Sequence, residues 1–255
     1  MLIIDSWFGR LGNNILQILR AIHYGLTHNH NSVIIPGHKM FLKQAIVLNR
    51  NTDVHSTIKN NFFYLKHFNM EDPEPYIMKK YFQKYVLPVF KVQSSLENMD
   101  NTDVLHIHFR GGDIFSNNPH KAYVQPPLSY YIDAAKHYNK IKLVCEDVSN
   151  PCIKELMKLD NVEYISTTLE NDLKILGSAQ NLVIGFGTFG FLLYLMNLQL
   201  KHLYLPKYFA DALPRGSWGQ DIEVTIVELP HYIKVGEWRN TPEQRKLILE
   251  YQSKI

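Results

Sequence analysis

The chain contains little cysteine, no familiar metal-binding motif and no strong excess of charge. Its two cysteines, Cys145 and Cys152, are too few for a disulfide framework and lack the CxxC spacing of many metal and redox sites. None of the 12 histidines falls in an HExxH sequence, so we expect no metal site. The net charge is only +3, and no dense run of lysine and arginine indicates a nucleic-acid-binding surface.

Long hydrophobic runs are also missing. The longest candidate, 189–200, is interrupted by Asn197 and Gln199 and is shorter than the roughly 18 residues of a membrane-spanning helix. The first residues lack the charged and then apolar regions of a secretory signal. We therefore expect a cytoplasmic protein with reduced cysteines and no membrane span. The 255 residues, 45% of them hydrophobic, suffice for one large or two small globular domains.

The second half of the chain alternates regularly between strand and helix patterns. Such alternation with short connections predicts a parallel sheet flanked by helices. The predicted strands are 141–144, 162–166, 182–186 and 202–205, with an edge strand at 224–229, and the predicted helices are 128–138, 150–159, 170–179, 188–198 and 241–252.

The first half shows the same pattern less completely. The predicted elements are a strand at 2–7, a helix at 15–30, strands at 32–36 and 45–48, and a helix at 74–87, while most of 37–72 stays unassigned. The polar stretch Lys91 to Asp103 is the predicted linker. We accordingly predict an N-terminal domain at 1–100, a C-terminal domain at 101–235 and a closing helix at 236–255.

One stretch, 104–115 with the sequence VLHIHFRGGDIF, joins a predicted strand to a turn rich in functional groups. In an open α/β sheet the turn after a strand is where ligands bind. Arg110 offers a planar set of donors that suits a phosphate or carboxylate, and Gly111 and Gly112 allow a close backbone approach. Asp113 adds a carboxylate. A surface turn with an ordinary Arg–Asp ion pair explains this stretch equally well.

Two further turns have the same character. Residues 9–14 follow the first predicted strand with a GxxG spacing, which does not match the GxGxxG dinucleotide motif, and residues 185–190 join a later strand to a helix. Each turn places helix N–H groups over a ligand position, and Thr188 adds a hydroxyl. Asp172 is a candidate for contacting a base or ribose, or equally a first-turn carboxylate on the helix dipole. His120 and Tyr123, in the proline-rich loop 116–127, are candidates for contacting a sugar or plain loop residues.

Together the three turns predict two Rossmann-like units with parallel sheets facing a central cleft, in which a nucleoside diphosphate would bind. At this point three motifs carry a resemblance. Gly9-Arg10-Leu11-Gly12-Asn13-Asn14 resembles the GxLGNQ motif of the alpha-1,2-fucosyltransferase family, and residues 108–113 resemble its HxRRxD motif. Asp172-Leu173 followed by 184–189 is similar to its "DL … NSSFS" block. The three motifs occur in the family's order and spacing.

The resemblance implies an α/β, GT-B-like fold and an inverting, metal-independent transfer of fucose from GDP-fucose to a glycan hydroxyl. In such a fold, 1–100 would be the Rossmann-like, acceptor-side domain and 101–235 the nucleotide-sugar-binding domain. It implies no cofactor besides the nucleotide sugar. Arg110 would stabilise the charge on the leaving phosphate, and Asp113 would either be the general base or hold Arg110. His120 and Tyr123 would contact the acceptor. The implied donor-binding residues are Gly9, Arg10, Gly12, Asn13, His108, Asp172, Gly187, Thr188 and Phe189.

The chain also departs from the family pattern. Asn14 stands where the family has Gln, Gly111 where it has a second Arg, and Gly187-Thr188 where it has a Ser pair, and the family's later tryptophans are missing. These departures weaken the prediction of the donor sugar more than the prediction of the reaction class. Two alternatives therefore remain: a transferase that uses another nucleotide sugar such as UDP-rhamnose, and a non-catalytic nucleotide- or glycan-binding module of the same fold.

Overall fold

The structure, a computed structural model, describes residues 1–49, 56–92 and 102–252. The chain divides into two units. The first comprises Met1–Leu96, Phe191–Met196 and Pro214–Gly219, and the second comprises Glu97–Gly190, Asn197–Leu213 and Gln220–Ile255. Most of the predicted linker, Lys91 to Asp103, lies outside the described residues. The C-terminal helix, which the sequence suggests as a separate closing element, belongs to the second unit.

The first unit contains a small sheet of four strands. Its elements are β1 (Leu2–Ile4), α1 (Leu11–Thr27), β2 (Ser32–Ile34), β3 (Ala45–Val47), β4 (Ile58–Asn60) and α2 (Pro75–Tyr81). The strand order is β3-β2-β1-β4; β1 pairs in parallel with β2 and β4, whereas β3 runs antiparallel to β2. The prediction of a parallel sheet is therefore wrong for β3, which follows β2 without a crossover helix.

The helix predicted at 74–87 is shorter than expected. After α2 ends at Tyr81, the backbone continues through a π-helical turn, Phe82–Val86, and a 3₁₀ turn, Leu87–Val89. Pro88 lies in this last turn and supplies no N–H for a continuing α-helix. The previously unassigned region 37–72 contains β4 and another 3₁₀ turn, Leu65–Phe68.

The second unit contains six parallel strands, as the alternating pattern predicts. Its elements are β5 (Val104–Phe109), α3 (Leu128–Ala135), β6 (Lys140–Cys145), α4 (Pro151–Leu156), β7 (Val162–Ile165), α5 (Leu169–Gly177), β8 (Asn181–Ile184), α6 (Thr188–Met196, whose residues from Phe191 belong to the first unit), β9 (His202–Pro206), α7 (Lys207–Ala210), β10 (Glu223–Val227) and α8 (Pro242–Glu250). The strand order is β10-β9-β8-β5-β6-β7, and every neighbouring pair is parallel.

Side-chain caps start several helices of this unit. Asn150 accepts a hydrogen bond from the Cys152 N–H at the start of α4, and Thr168 accepts one from the Asn171 N–H at the start of α5. Thr241 caps α8 through the Gln244 N–H, with Pro242 in the first turn. These caps satisfy N–H groups that a helix leaves without a partner, so they determine where each connection ends.

The central strand β5 places its residues on two faces of the sheet. Leu105, Ile107 and Phe109 are buried in one hydrophobic cluster with residues of α3, α4 and α8. Because side chains alternate along a strand, His106 and His108 lie on the opposite face. One face of β5 therefore packs in the hydrophobic core, and the other face carries the two histidines.

Lys79, on α2 in the first unit, is a buried cation. Only 7% of the residue is exposed, and its Nζ donates a hydrogen bond to the Tyr194 carbonyl at 3.1 Å and lies 4.7 Å from the centre of the Tyr194 ring. Burial, together with the positive charge of Lys80, lowers the pKa of Lys79 to about 8. The carbonyl lies in the last turn of α6, where a cation is favourable.

We predict that Lys79→Met removes a pH dependence of stability. An unfolded lysine has a pKa of about 10.4, so between pH 8 and that value the unfolded chain binds more protons and the free energy of unfolding rises with pH. The rise amounts to about 2 kcal/mol between pH 7 and pH 9.5. Urea unfolding at both pH values should show it in the wild type and in the exposed control Lys84→Met. An equal rise in Lys79→Met would contradict the assignment.

Candidate functional site

The six-stranded sheet has a topological switch point between β5 and β8. From β5 the chain proceeds to β6 and β7 on one side, and from β8 it proceeds to β9 and β10 on the other. Ligands of open α/β sheets bind outside the carboxyl ends of the strands at such a point. Two of the turns singled out in the sequence, 110–113 and 185–190, follow β5 and β8 directly. The structure thus brings them to one edge.

Arg110 is the centre of this edge. Its Nη1 lies 2.9 Å from where a Cβ of Gly187 would be, and its guanidinium carbon lies 4.1 Å from the centre of the Tyr123 ring. Its Nη2 approaches the Asp113 carboxylate at 3.4 Å, the long limit of a hydrogen bond. These neighbours orient the guanidinium, and 18% of the Arg110 side chain remains exposed.

Asp113 lies in a short 3₁₀ turn, Gly112–Phe115, with 45% of its side chain exposed. An exposed ion pair at this distance contributes little to stability. The carboxylate therefore contacts Arg110 and remains accessible to solvent. Its role as a general base or as a partner that holds Arg110 stays a prediction.

His108 and Phe189 form a pair beside Arg110. Their ring centres are 4.9 Å apart and their planes are inclined by 40°. Burial and the Arg110 charge lower the pKa of His108 to about 3. The imidazole is therefore neutral near pH 7, where it can donate one hydrogen bond and accept another but adds no positive charge. Thr188, the first residue of α6, precedes Phe189.

Two residues that sequence reasoning missed shape the other side of the Arg110 turn. A Cβ on Gly111 would lie 2.5 Å from Asp147 Oδ1, so the Asp147 carboxylate occupies the space that a side chain at position 111 would need. The Gly112 N–H donates a hydrogen bond to Ser149 Oγ at 2.9 Å. Asp147 and Ser149 follow β6, the neighbour of β5, so knowledge of the strand order would have pointed to them.

The loop 116–127 brings Tyr123 onto Arg110. Tyr123 also lies 4.8 Å from the ring of His120, which is exposed, and 6.0 Å from the ring of Phe186. Gln125, fully buried, donates a hydrogen bond to the Phe186 carbonyl at 3.2 Å and so joins this loop to the turn after β8. Tyr123 therefore contacts the guanidinium. The predicted contacts of His120 and Tyr123 with an acceptor stay predictions.

A C-terminal segment, 232–245, donates hydrogen bonds to the backbone of these loops. We call this segment the C-terminal strap. The buried Trp238 donates its indole N–H to the Ile114 carbonyl at 2.7 Å. Asn240 donates to the carbonyls of Phe115 and Ser116, and Arg245 donates to that of Phe115. Tyr232 donates to the Gln125 carbonyl. No sequence motif marks the strap, since its contacts are spread over more than 100 residues of separation.

Asp172 lies further along the same edge. It belongs to α5, which follows β7, and β7 is separated from β5 by β6. Its carboxylate accepts a hydrogen bond from Thr167 Oγ1 at 2.7 Å, and burial raises its pKa despite this bond. Asp172 is therefore not at the switch point. Its predicted contact with a base or ribose stays a prediction.

The remaining predicted donor-binding residues belong to the first unit, at the turn from β1 to α1. Gly9 has a positive φ of 69°, and a Cβ there would collide with the Asn13 amide. Arg10 is exposed, whereas Gly12 is buried in the first turn of α1. The turn itself is thus built around a residue without a side chain, as its GxxG spacing suggests.

Among the described residues, no group of three or more histidine, cysteine, aspartate or glutamate side chains is arranged to hold a metal ion. No helix within 1–49, 56–92 or 102–252 has both the length and the apolar character needed to cross a membrane. Comparison with known proteins gave no match, whether to family models, to curated proteins or to solved structures.

We predict that Trp238→Phe loosens the Arg110 turn. The change leaves the buried Ile114 carbonyl without its donor, which costs about 1–3 kcal/mol of unfolding free energy. Urea unfolding measures the loss, and hydrogen exchange should accelerate at the amides of 114–116. Tyr251→Phe, which removes an exposed hydrogen bond to the Pro230 carbonyl, is the control and should lose less. Equal losses in the two variants would contradict a role for the strap.

Proposed function

We propose that the chain is an inverting, metal-independent glycosyltransferase of GT-B-like, two-unit organisation, which transfers fucose from GDP-fucose to a glycan hydroxyl. The observation that carries the proposal is the meeting of Arg110 and the Gly187 turn at the switch point of a six-stranded parallel sheet. The identities of the sugar, fucose, and of the nucleobase, guanine, are inferred from the motif resemblance. The geometry supports only the recognition of an anionic group.

The chemistry of the site suits a diphosphate leaving group. As a glycosidic bond to a nucleoside diphosphate breaks, negative charge develops on the outer phosphate. Arg110 can bind two oxygens of such a phosphate, and α6, whose N-terminus carries the positive end of the helix dipole, begins at Thr188, directly after Gly187. Because Tyr123 and Gly187 already orient the guanidinium, little reorganisation is needed when the charge develops.

Inversion requires a base that removes the proton of the attacking hydroxyl. Asp113 is the carboxylate that contacts Arg110 and remains nearly half exposed. His108 is a weaker candidate, because its pKa of about 3 makes it a poor proton acceptor at neutral pH. We therefore assign the base role to Asp113, and a hydrogen bond to the phosphate or ribose to His108.

One observation favours the second candidate function, a binding module without turnover. Asp147 fills the place beside Gly111 where the resembling family has a second arginine. The site therefore contains one guanidinium, paired with Asp113, and a second carboxylate, that of Asp147, beside the same turn. These carboxylates reduce its positive potential. Such a site would bind a nucleoside diphosphate more weakly and would stabilise its departure less.

We predict that Arg110→Ala lowers the release of GDP from GDP-fucose by roughly 30- to 1000-fold. This range corresponds to the loss of about 2–4 kcal/mol of transition-state stabilisation. Arg110→Lys should recover only part of it, since an ammonium lacks the planar pair of donors. Arg215→Ala, at an exposed arginine outside the site, is the matched control.

The same assay separates the candidates. Near-normal turnover in Arg110→Ala would refute the role of Arg110. A wild-type protein that is stabilised by GDP in a thermal-shift assay yet releases none from GDP-fucose would be a binding module. A larger shift with UDP than with GDP would indicate another donor, and no shift with GDP, UDP or dTDP would contradict both candidate functions.

A further inference from the structure

The charges of the chain are divided unequally between its two units. With histidine counted as neutral, the first unit holds 12 of the 27 lysines and arginines but only five of the 24 aspartates and glutamates, a net charge of +7. The second unit holds the remaining 15 and 19, a net charge of −4. Such an asymmetry favours a polyanionic partner for the basic unit. The candidate site at Arg110 belongs to the acidic unit and does not account for it.

Helix α2 and the π-helical turn that follows it carry part of this positive charge. One side of this helical stretch is buried, because Met78, Phe82 and Val86 recur every four residues and have no exposed surface. The outward side carries lysines and tyrosines. Its two lysines are exposed and its three tyrosines are partly exposed. We call this set the Tyr/Lys face: Tyr76, Lys80, Tyr81, Lys84 and Tyr85.

Within the part of the chain that the structure describes, the lysines of the Tyr/Lys face contact aromatic rings rather than carboxylates. Lys80 Nζ lies 4.9 Å from the centre of the Tyr76 ring, and Lys84 Nζ lies 5.0 Å from that of Tyr85. A ring orients an ammonium group without neutralising its charge. The exposed Lys158 of the second unit differs, because it pairs with Glu155. The Tyr/Lys face therefore keeps its charge for an external anion.

The tyrosines give this face an amphipathic character. The Tyr81 hydroxyl lies 3.4 Å from His23 Nδ1 of α1, and its ring centre lies 6.4 Å from that of Tyr85. Burial and the neighbouring Tyr85 raise the pKa of Tyr81, so its hydroxyl is neutral near pH 7. Tyrosine combines an apolar ring with a polar hydroxyl, and lysine combines an apolar stem with an ammonium group. Both residue types suit the headgroup level of a membrane.

From this combination we propose that the Tyr/Lys face docks on the surface of a lipid bilayer that is rich in anionic headgroups. The negative surface potential of such a bilayer attracts each lysine, and the tyrosine rings lie at the headgroup level. A peripheral contact of this kind needs no membrane-spanning helix. The contact rests neither on the transferase function nor on Arg110.

Single-stranded nucleic acid is another polyanion that binds lysine and tyrosine, but this face fits it less well. Proteins that bind single strands guide the backbone along a basic groove and stack the bases on open ring faces. Here the cations lie on the outward side of one helical stretch, and an ammonium group already covers one face of Tyr76 and of Tyr85. The test below therefore includes an oligonucleotide.

The test measures co-sedimentation of the full chain with vesicles of phosphatidylcholine and phosphatidylglycerol. We expect binding at low salt, its loss at high salt and none to phosphatidylcholine alone, because the attraction is electrostatic. The double variant Lys80→Gln with Lys84→Gln should lower the affinity roughly 25-fold, about fivefold for each lysine. Lys154→Gln with Lys158→Gln, an equally spaced and exposed pair of the second unit, is the matched control and should bind as the wild type does.

Further variants separate the possible outcomes. Lys80→Arg with Lys84→Arg should keep the binding, and every lysine variant should keep the unfolding midpoint of the wild type, since the changed side chains are exposed. A wild type that binds no vesicles would overturn the proposal, and so would a glutamine pair that binds as well as the wild type. A wild type that prefers a single-stranded oligonucleotide to the vesicles would also overturn it. Arg110→Ala should bind vesicles normally, so failure of the transferase would appear only in GDP release.

Discussion

The close approach of Arg110 to Gly187 is the constraint on which the candidate site depends. The guanidinium lies where a side chain at position 187 would begin, and the φ of 142° at Gly187 is one that other residues rarely adopt. Only a glycine therefore lets the turn after β8 come this near to the turn after β5. Tyr123, Gln125 and the C-terminal strap all act on the loops around this one contact.

The charges around Arg110 partly oppose one another. Asp113 and Asp147 flank its turn on two sides, while the guanidinium itself helps to lower the pKa of His108. A neutral His108 avoids a second cation beside the first but also limits the positive potential of the site. The arrangement therefore relies on orientation rather than on accumulated charge, as expected where preorganised donors stabilise a developing anion.

How much of this could be predicted from the sequence differs between the two units. The six parallel strands of the second unit were predictable, because buried parallel strands and their helices alternate visibly along the chain. In the first unit the strands are only three residues long, too short for a clear period, and the reversal at β3 was missed. Arg110 and the glycine turns carry local signals. Asp147 and Trp238 act through contacts between distant segments, and no local pattern reveals such contacts.

The two sheets thus differ in how their nearby arginines are paired. Each sheet has a switch point beside its first strand, and each has an arginine nearby. In the second unit the arginine is only loosely paired with Asp113, so its donors suit an incoming anion. In the first unit Arg20 is paired with Asp72 and donates to the Phe63 carbonyl, so its donors are used within the fold. Pairing within the fold, more than the residue type, therefore decides whether an arginine near a switch point keeps donors that an anionic ligand could use.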